Sequence, residues 1–442
     1  MAQPLHRNKA IKLGVVRSDS RRLSESVRRL SENVLRITRE DFCTVEFNPD
    51  AYASKPRRLR EYTRFAQEVG IILFLPRVDS SFIVPQETPL MFFGLGAMPR
   101  PHRHLFEYHK FLFPQNAILL SCSSDIKIFH ELFPNFKEMA YFLPWPVDTE
   151  LFTPVSAQVR LKARKALGVG TNEHLMLYAG RVCSEKNIHT LLKVFKGVTQ
   201  RLRNVRLLIA GLDSNAGYDD FTNNIKDYSR YLKGLIGRYG LRGKVRTIPS
   251  VKKKRLPALY SAADVFVNCT LCPDENFGYA QVEAMACGTP VVCSCWGGLK
   301  DTVRDGFTGY HMPTTLTRKG PALNWRVGVT KIVSLLKNMP LRRELSENCR
   351  KQVENNYSFT RFSSQLAGII SDTIRRKDRN NCDSGKTLFR YSSPDMMSFY
   401  LEFIYTHMYK NHTTGGRPAR GVYEGQAEIL RRCAGKYIHC SG

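Results

Sequence analysis

The chain has 442 residues, of which 43% are hydrophobic and 24% charged, which is ordinary for a soluble globular protein of two or three domains. Basic residues outnumber acidic ones by 67 to 39, and the net charge of +28 favours a polyanionic partner such as anionic lipid, nucleic acid or a phosphorylated substrate. No apolar run approaches the roughly 18–20 residues that cross a bilayer, which excludes a membrane-spanning chain.

The N-terminus is basic and has no apolar stretch, so we expect no secretory signal. Twelve scattered cysteines then indicate reduced thiols in a cytoplasmic protein. The pairs Cys269/Cys272 and Cys293/Cys295 are spaced as in zinc sites, but no second pair or histidine set completes a tetrahedral site. We therefore predict no bound metal and no cofactor.

The first 145 residues contain apolar runs that predict strands at 11–16, 69–76, 88–94 and 116–120. Residues 17–39 place apolar side chains at helical spacing and arginines elsewhere. This is typical either of a domain helix with a solvated basic face or of a helix that docks on an anionic membrane surface. The loop after residue 94 carries His102 and His104. The two histidines could bind a metal or a phosphate or act on a reacting hydroxyl, and they are equally compatible with an ordinary solvated loop.

Beyond a proline-rich segment at 141–154, which we interpret as an interdomain linker, strands and helices alternate. We predict strands at 175–179, 205–210, 245–248 and 265–268, and helices at 187–203, 221–239 and 256–263, the first capped by Asn187. This alternation predicts a doubly wound parallel sheet, whose ligands bind at the carboxyl ends of the strands. Gly180, Arg181, Gly211 and Glu275 all follow predicted strands.

The most informative stretch is 274–298, which predicts a loop, a helix, a strand at 290–293 and a glycine turn. Glu275 lies before the helix N-terminus and Glu283 within its first two turns. A helix N-terminus with glycines suits a diphosphate, and a carboxylate can accept hydrogen bonds from the vicinal hydroxyls of a ribose. The same acids also suit a buried helix with an acidic cap, and Glu283 alone is equally typical of a surface charge.

Arg181 and Lys186 form a second candidate pair, because two cations between a strand and a helix suit a diphosphate. In a chain this basic they also fit ordinary surface charges. Residues 341–377 predict further helix. The tail at 378–442 contains an aromatic amphipathic segment at 396–409, which fits a packed, a partner-binding or an interfacial helix.

Together these motifs resemble family 4 glycosyltransferases. The similarity covers roughly residues 141–313 and rests on Gly180-Arg181, Lys186-Asn187, IAG at 209–211, LYSAADVFV at 259–267 and ENFGYAQVEAMACGTPVV at 275–292. The resemblance implies an α/β GT-B fold of two Rossmann-like, doubly wound parallel-sheet domains facing a central cleft, with a helical C-terminal extension. The corresponding boundaries are an acceptor domain at 1–145, a linker at 146–156, a nucleotide-sugar domain at 157–340, crossover helices at 341–377 and a tail at 378–442.

The resemblance also implies retaining transfer of a hexose, without a metal, from a nucleotide-diphosphate sugar, a UDP-sugar rather than a GDP-sugar. The acceptor would be a saccharide or lipid-linked saccharide, in the cytoplasm or at the inner face of a membrane. Arg181 and Lys186 would neutralise the leaving diphosphate, Glu275 would position the sugar, and Glu283 would hold the ribose. The other donor-binding residues implied are Gly180, Asn276, Phe277, Gly278 and Tyr279.

The N-terminal half departs from the family pattern. The strand at 11–16 is followed by RSDSRR rather than a glycine-rich loop, and FGLG stands at 93–96 where the family has a histidine. His102 or His104 would then take the acceptor-side role. Two alternatives remain open at this point: a glycosyltransferase that acts on nucleic acid, and a sugar-nucleotide-binding protein without catalytic activity.

Overall fold

A computed structural model describes residues 11–18, 25–76, 87–94, 115–132, 134–211, 227–272, 275–317 and 320–379. The described chain divides into two compact units. The first contains the residues up to Pro146 and those from Tyr357 onward, and the second contains Val147–Asn356. Each unit is built on a six-stranded sheet in which every neighbouring pair of strands is parallel. The predicted pair of Rossmann-like sheets is confirmed.

The sheet of the first unit has the order β2-β1-β3-β4-β5-β6. Its strands are β1 (Lys12–Val16), β2 (Cys43–Phe47), β3 (Ile71–Phe74), β4 (Leu90–Gly94), β5 (Ala117–Leu120) and β6 (Ala140–Phe142). All residues of β3, β4 and β5 are buried. Such uniform burial explains why these strands read as continuous apolar runs in the sequence.

Among the described residues, the helices that accompany this sheet are α1 (Glu25–Asp41), α2 (Lys55–Glu68), α3 (Ser123–Leu132) and, from the end of the described chain, α12 (Phe359–Arg379). Helix α12 contacts α1, where Arg36 lies over the ring of Phe359 at 5.2 Å. It is also held by the buried Arg376, whose Nη2 donates to the carbonyl of Asn116 at 3.1 Å. The chain therefore returns to the first unit through α12.

Helix α1 differs from the basic helix predicted at 17–39. Its described part begins at Glu25 and carries four arginines and four acids, so its charges balance. The arginines pair with nearby glutamates, as in the 2.9 Å contact between Arg36 Nε and Glu40 Oε1. The prediction missed this because it weighted the arginines and stopped at residue 39, before two of the acids. Docking on an anionic membrane surface stays a prediction, and this part of α1 offers no excess positive charge for it.

The sheet of the second unit has the order β12-β11-β10-β7-β8-β9. Its strands are β7 (His174–Ala179), β8 (Val205–Ala210), β9 (Val245–Ile248), β10 (Val265–Asn268), β11 (Val291–Ser294) and β12 (Gly309–Met312). A separate antiparallel hairpin consists of β13 (Thr314–Thr317) and β14 (Gly320–Leu323). The chain runs outward from β7 to β9 and then returns to place β10 beside β7. The topological switch point is therefore the junction of β7 and β10.

The helices of the second unit are α4 (Ala157–Ala166), α5 (Ile188–Thr199), α6 (Tyr228–Arg238), α7 (Leu256–Ala262), α8 (Tyr279–Ala286), α9 (Leu299–Thr302), α10 (Trp325–Lys337) and α11 (Met339–Tyr357). Buried side chains of α5, α10, β7 and β8 form one continuous core, in which Phe195, Leu207 and Ile332 are fully buried. This core fixes the strand ends from which the candidate site residues project.

The segment predicted as a linker is ordered against the second unit from Val147 onward. Val147 and Phe152 are 1% and 2% exposed. Arg350 on α11 donates from Nη1 to the carbonyl of Phe152 at 2.6 Å and from Nη2 to that of Thr149 at 3.1 Å. The start of this unit is thus fixed by its last helix.

Several predictions fall outside the described residues: His102, His104, the start of the helix predicted at 221–239, and the tail from residue 380. Within the described ranges, none of the helices combines the length and apolar character needed to span a bilayer.

Candidate active site

The candidate site lies at the carboxyl edge of the second sheet, at the switch point between β7 and β10. Strand β7 is followed by Gly180, Arg181 and a short 3-10 turn, Ser184–Lys186. Strand β10 is followed by the loop that contains Glu275. Because β7 and β10 are neighbouring parallel strands, their following loops emerge side by side. Residues nearly ninety positions apart in the sequence meet there.

Lys186 and Glu275 form an ion pair between Nζ and Oε2. Their side chains are only 18% and 12% exposed. Burial opposes the charge of Lys186, but Glu275, and after it Cys272, raise the pKa of Lys186 above its ordinary value. The lysine is therefore a fixed cation at neutral pH, and an ammonium has three N–H groups with which to bind more than one acceptor.

Arg181 is held by a carboxylate that the sequence analysis did not select. Its guanidinium contacts Oε1 of Glu185, a side chain that is only 2% exposed, whereas Arg181 itself is 44% exposed. Burial lowers the pKa of Arg181, but Glu185, together with Cys183 and Cys272, outweighs that effect and the net shift is upward. The second oxygen of Glu185, Oε2, is buried and has no hydrogen-bond partner among the described residues. Glu185 looks like a surface acid in the sequence, and only the fold reveals its burial.

Hydrogen bonds join the carboxyl ends of β7, β10 and β11, and the loops that follow them, to one another. Asn187 Nδ2 donates to the carbonyl of Cys269 at 2.9 Å, and Thr270 Oγ1 donates to that of Glu185 at 3.0 Å. Ser294 Oγ in turn donates to the carbonyl of Thr270 at 2.5 Å. The cations are consequently mounted on a cross-linked set of loops.

Asn187 corrects one detail of the sequence prediction. It occupies the N-cap position of α5, but its side chain makes no capping hydrogen bond. Its backbone is left-handed, with φ of +56°, and its side chain reaches across to Cys269 instead. Asparagine tolerates this backbone region better than most residues, which explains why it can occupy the position.

The loop at 275–278 is closely packed before α8. Asn276 and Phe277 are 3% and 1% exposed, and Gly278 has φ of +82°, a backbone region that favours glycine. A side chain on Gly298 would come within 1.9 Å of the carbonyl oxygen of Asn276, so this approach also requires glycine. The N–H of Gly298 donates to the carbonyl of Glu275 at 2.7 Å. These contacts fix the backbone that carries Glu275.

The remaining donor-binding candidates flank this loop. The ring of Tyr279, 6% exposed, packs edge-on against Phe277 with centroids 5.3 Å apart. Gly180 donates its N–H to the carbonyl of Ala210 at 2.9 Å, which places it at the end of β7 beside the end of β8. Both residues thus belong to the same edge of the sheet as Arg181 and Lys186.

Glu283 lies on α8 and is 1% exposed. The hydroxyl of Tyr260, on α7, donates to its Oε2 at 2.8 Å. Glu283 is therefore a buried, hydrogen-bonded carboxylate rather than a surface charge. Its assignment to ribose hydroxyls stays a prediction.

The chemistry available at this edge is that of anion binding. Arg181 and Lys186 supply fixed positive charge close to the start of α5, and Glu275 supplies an acceptor for hydroxyl groups. The four cysteines of the two pairs considered for zinc are buried free thiols. Across the described ranges, no group of three or more His, Cys, Asp or Glu side chains is arranged to hold a metal ion.

Residues 159–352 match the family model described as Glycosyl transferases group 1. The match contains Arg181, Lys186, Glu275 and Glu283. An uncharacterized glycosyltransferase of Methanocaldococcus jannaschii is 28% identical over 236 residues, which are 53% of each chain. A D-inositol 3-phosphate glycosyltransferase of Mycobacterium sp. strain KMS is 34% identical over 194 residues, 41% of this chain and 40% of the relative. The chain thus spans about half the length, or less, of these curated relatives.

The fold is similar to that of HepE from Anabaena, solved in complex with UDP. The TM-score is 0.64 at 17% identity, with 82% of this chain and all of HepE covered. The complex of the same protein with UDP-glucose aligns with a TM-score of 0.60 at 17% identity, covering 82% of this chain and 99% of that one. At this identity the similarity establishes the fold, and the predicted GT-B class is confirmed.

Proposed function

We propose that this protein is a retaining glycosyltransferase of family 4 that transfers a hexose from a nucleotide-diphosphate sugar without a metal. The observation that carries the proposal is the ion pair of Lys186 and Glu275 at the switch point of a parallel sheet, beside Arg181. Ligands of such sheets bind at this position. The match of residues 159–352 to the glycosyl transferases group 1 model supports the same reaction class.

In the proposed reaction the two cations bind the diphosphate. The bond between the anomeric carbon and the diphosphate oxygen breaks, and negative charge develops on that oxygen as the nucleoside diphosphate leaves. Arg181 and Lys186 stabilise this charge, which is the role that a metal ion fills in other transferases. The pKa of Lys186 is raised, so it remains positive while the charge on the leaving group grows.

The acceptor hydroxyl attacks the anomeric carbon from the side that the diphosphate leaves, and its proton passes to the departing diphosphate. Glu275 accepts hydrogen bonds from hydroxyls of the transferred sugar and so orients the anomeric carbon. The backbone of Asn276, Phe277 and Gly278 contacts the sugar and the distal phosphate. Glu283 binds the ribose hydroxyls through an oxygen that Tyr260 helps to orient.

We propose a UDP-sugar as donor, because HepE was solved with UDP and with UDP-glucose. The proposed acceptor is a saccharide or a lipid-linked saccharide, in the cytoplasm or at the inner face of a membrane. His102 and His104 are the proposed acceptor-side residues.

The test is to incubate the full-length protein with UDP-glucose or a GDP-sugar, with and without a panel of saccharides, and to measure release of the nucleoside diphosphate. We expect release from the UDP-sugar, stimulated by an acceptor and unchanged by EDTA. A product whose anomeric configuration matches the donor would support retention. Loss of activity with EDTA, or an inverted product, would contradict the corresponding part of the proposal.

A further inference from the structure

A cavity of about 530 Å³ lies in the second unit, at the edge of the sheet opposite the candidate active site. It is lined where strands β7, β10 and β11 begin: His174 is the first residue of β7, and Asp264 and Pro290 directly precede β10 and β11. These strands are four to six residues long, so the cavity and the candidate active site are separated by roughly 13–20 Å of strand. The cavity is therefore distinct from the proposed donor site.

Arginines of this cavity converge on one buried carboxylate. Asp264 is 7% exposed and accepts from Arg160 Nη2 at 2.9 Å and from Arg164 Nη1 at 3.1 Å. Oδ2 of Asp264 also accepts from the backbone N–H of Leu175 at 2.8 Å, and Arg342 Nε lies 4.0 Å from Oδ1 of Asp264. One negative charge thus fixes three guanidinium groups in place and cannot neutralise them all.

The lining carries more positive than negative charge. It contains four arginines and three carboxylates, and one of the carboxylates, Glu173, is engaged outside the lining by Arg206 at 2.7 Å. Arg160 uses Nε and Nη2 in its contacts with Ser261 and Asp264, so its Nη1 group is available to an acceptor. The side chain of Arg343 makes no hydrogen bond or ion pair with any of the described residues.

We infer that this cavity is a second anion site, which takes a small phosphate-bearing molecule between Arg160 and Arg343. Guanidinium groups match phosphate oxygens in pairs. Arg160 is already fixed by Asp264 and loses little freedom on binding, whereas Arg343 brings a cation that no carboxylate in the described ranges neutralises. The volume is in the range of metabolite sites, which are roughly 300–1,000 Å³. Binding here would not require Lys186 or Arg181.

The test is calorimetric titration of the full-length protein with inorganic phosphate, in wild type and in three single variants. Arg343→Gln removes the unpaired cation and leaves the contacts of Asp264 intact. Arg238→Gln removes another exposed arginine, on α6, which does not line the cavity. Lys186→Gln disables the proposed donor site. We expect Arg343→Gln to weaken phosphate binding about tenfold or more, as for the loss of one charge-assisted contact, and Arg238→Gln to bind as the wild type does. Lys186→Gln should lose only the phosphate that the proposed donor site binds, and the binding that depends on Arg343 should remain.

Three results would overturn the inference: no phosphate binding by the wild-type protein, an equal loss in Arg238→Gln and Arg343→Gln, or a loss confined to Lys186→Gln. The last result would assign the phosphate to the donor site. Conversely, a protein that shows no sugar transfer but loses phosphate binding only in Arg343→Gln would retain the second site and refute the proposed function alone.

Discussion

Lys186 and Glu275 stand 89 positions apart in the sequence and form a partly buried ion pair where β7 and β10 meet. The pair connects the segment after β7, which carries the candidate phosphate-binding cations, with the loop after β10, which carries the candidate sugar-binding acid. Because an ammonium has three N–H groups, Lys186 can keep Glu275 and still donate to a phosphate oxygen. The ion pair therefore orients both partners before a ligand arrives.

Glu275→Gln should lower the turnover number for sugar transfer roughly a hundredfold, an effect typical for loss of one group that orients or stabilises the transition state. The amide keeps the size of the side chain but removes its charge and one acceptor. The measurement is kcat and KM with UDP-glucose. Glu344→Gln, an exposed acid on α11, is the matched control. An unchanged kcat in Glu275→Gln would remove Glu275 from the mechanism.

Glu185→Gln should act on donor binding rather than on folding. Arg181 loses the carboxylate that fixes it, and we expect the donor KM to rise about five- to tenfold, equivalent to roughly 1–1.4 kcal/mol. The free energy of unfolding should change by less than about 1 kcal/mol, because a buried charge that is only partly bonded is removed together with its desolvation cost. The donor KM of Glu185→Asp should lie between those of the wild type and of Glu185→Gln, because the carboxylate is kept on a shorter side chain. A variant that unfolds early with unchanged KM would show that Glu185 has only a structural role.

Tyr260→Phe should destabilise the fold by about 1–3 kcal/mol, since it removes a hydrogen-bond donor from the buried carboxylate of Glu283. The measurement is urea unfolding, and Tyr239→Phe on a half-buried ring is the control. In a Glu283→Gln background the same substitution should cost less, because no buried charge is then left without its donor. Equal costs in both backgrounds would mean that the hydroxyl does not act through Glu283.

Stability should fall between pH 7 and pH 5 in a way that depends on His189. Burial lowers the pKa of His189, and its Nδ1 lies 3.0 Å from the hydroxyl of Tyr228. The unfolded chain, with an ordinary histidine pKa of about 6.5, takes up this proton before the folded chain does. The contribution of His189 to the free energy of unfolding is therefore fully present above the unfolded pKa of about 6.5. It is lost as the pH falls towards the lower pKa of His189 in the folded state. His189→Gln should flatten the slope of urea midpoint against pH, and an unchanged slope would contradict this.

Much of the second unit follows from the sequence. Strands β8, β9 and β10 lie where they were predicted, and β7 and β11 differ by one residue at one or both ends. Uniformly apolar, β-branched runs between glycines and polar turns leave few alternatives. The convergence of Arg181, Lys186 and Glu275 also followed, because ends of neighbouring parallel strands meet at one edge.

Other features were not predictable because they depend on tertiary contacts. Strands β2 and β6 are short and only partly buried, so neither gives an apolar run. The burial of Glu185 depends on the approach of Thr270 to its backbone, and the conformation of Asn187 depends on the carbonyl of Cys269. Acids and amides that look like caps or surface groups in the sequence become fixed parts of the site only when the two loops meet.

The most direct test is calorimetric titration of UDP into the full-length wild-type protein, Lys186→Gln and Lys233→Gln, the last a change at an exposed lysine on α6. We expect saturable binding to the wild-type protein and to Lys233→Gln, and an affinity at least about tenfold lower in Lys186→Gln, as for loss of one charged contact to phosphate. Equal affinity in all three proteins, with Lys186→Gln shown to be folded, would contradict the assignment of this edge of the sheet to the nucleotide diphosphate.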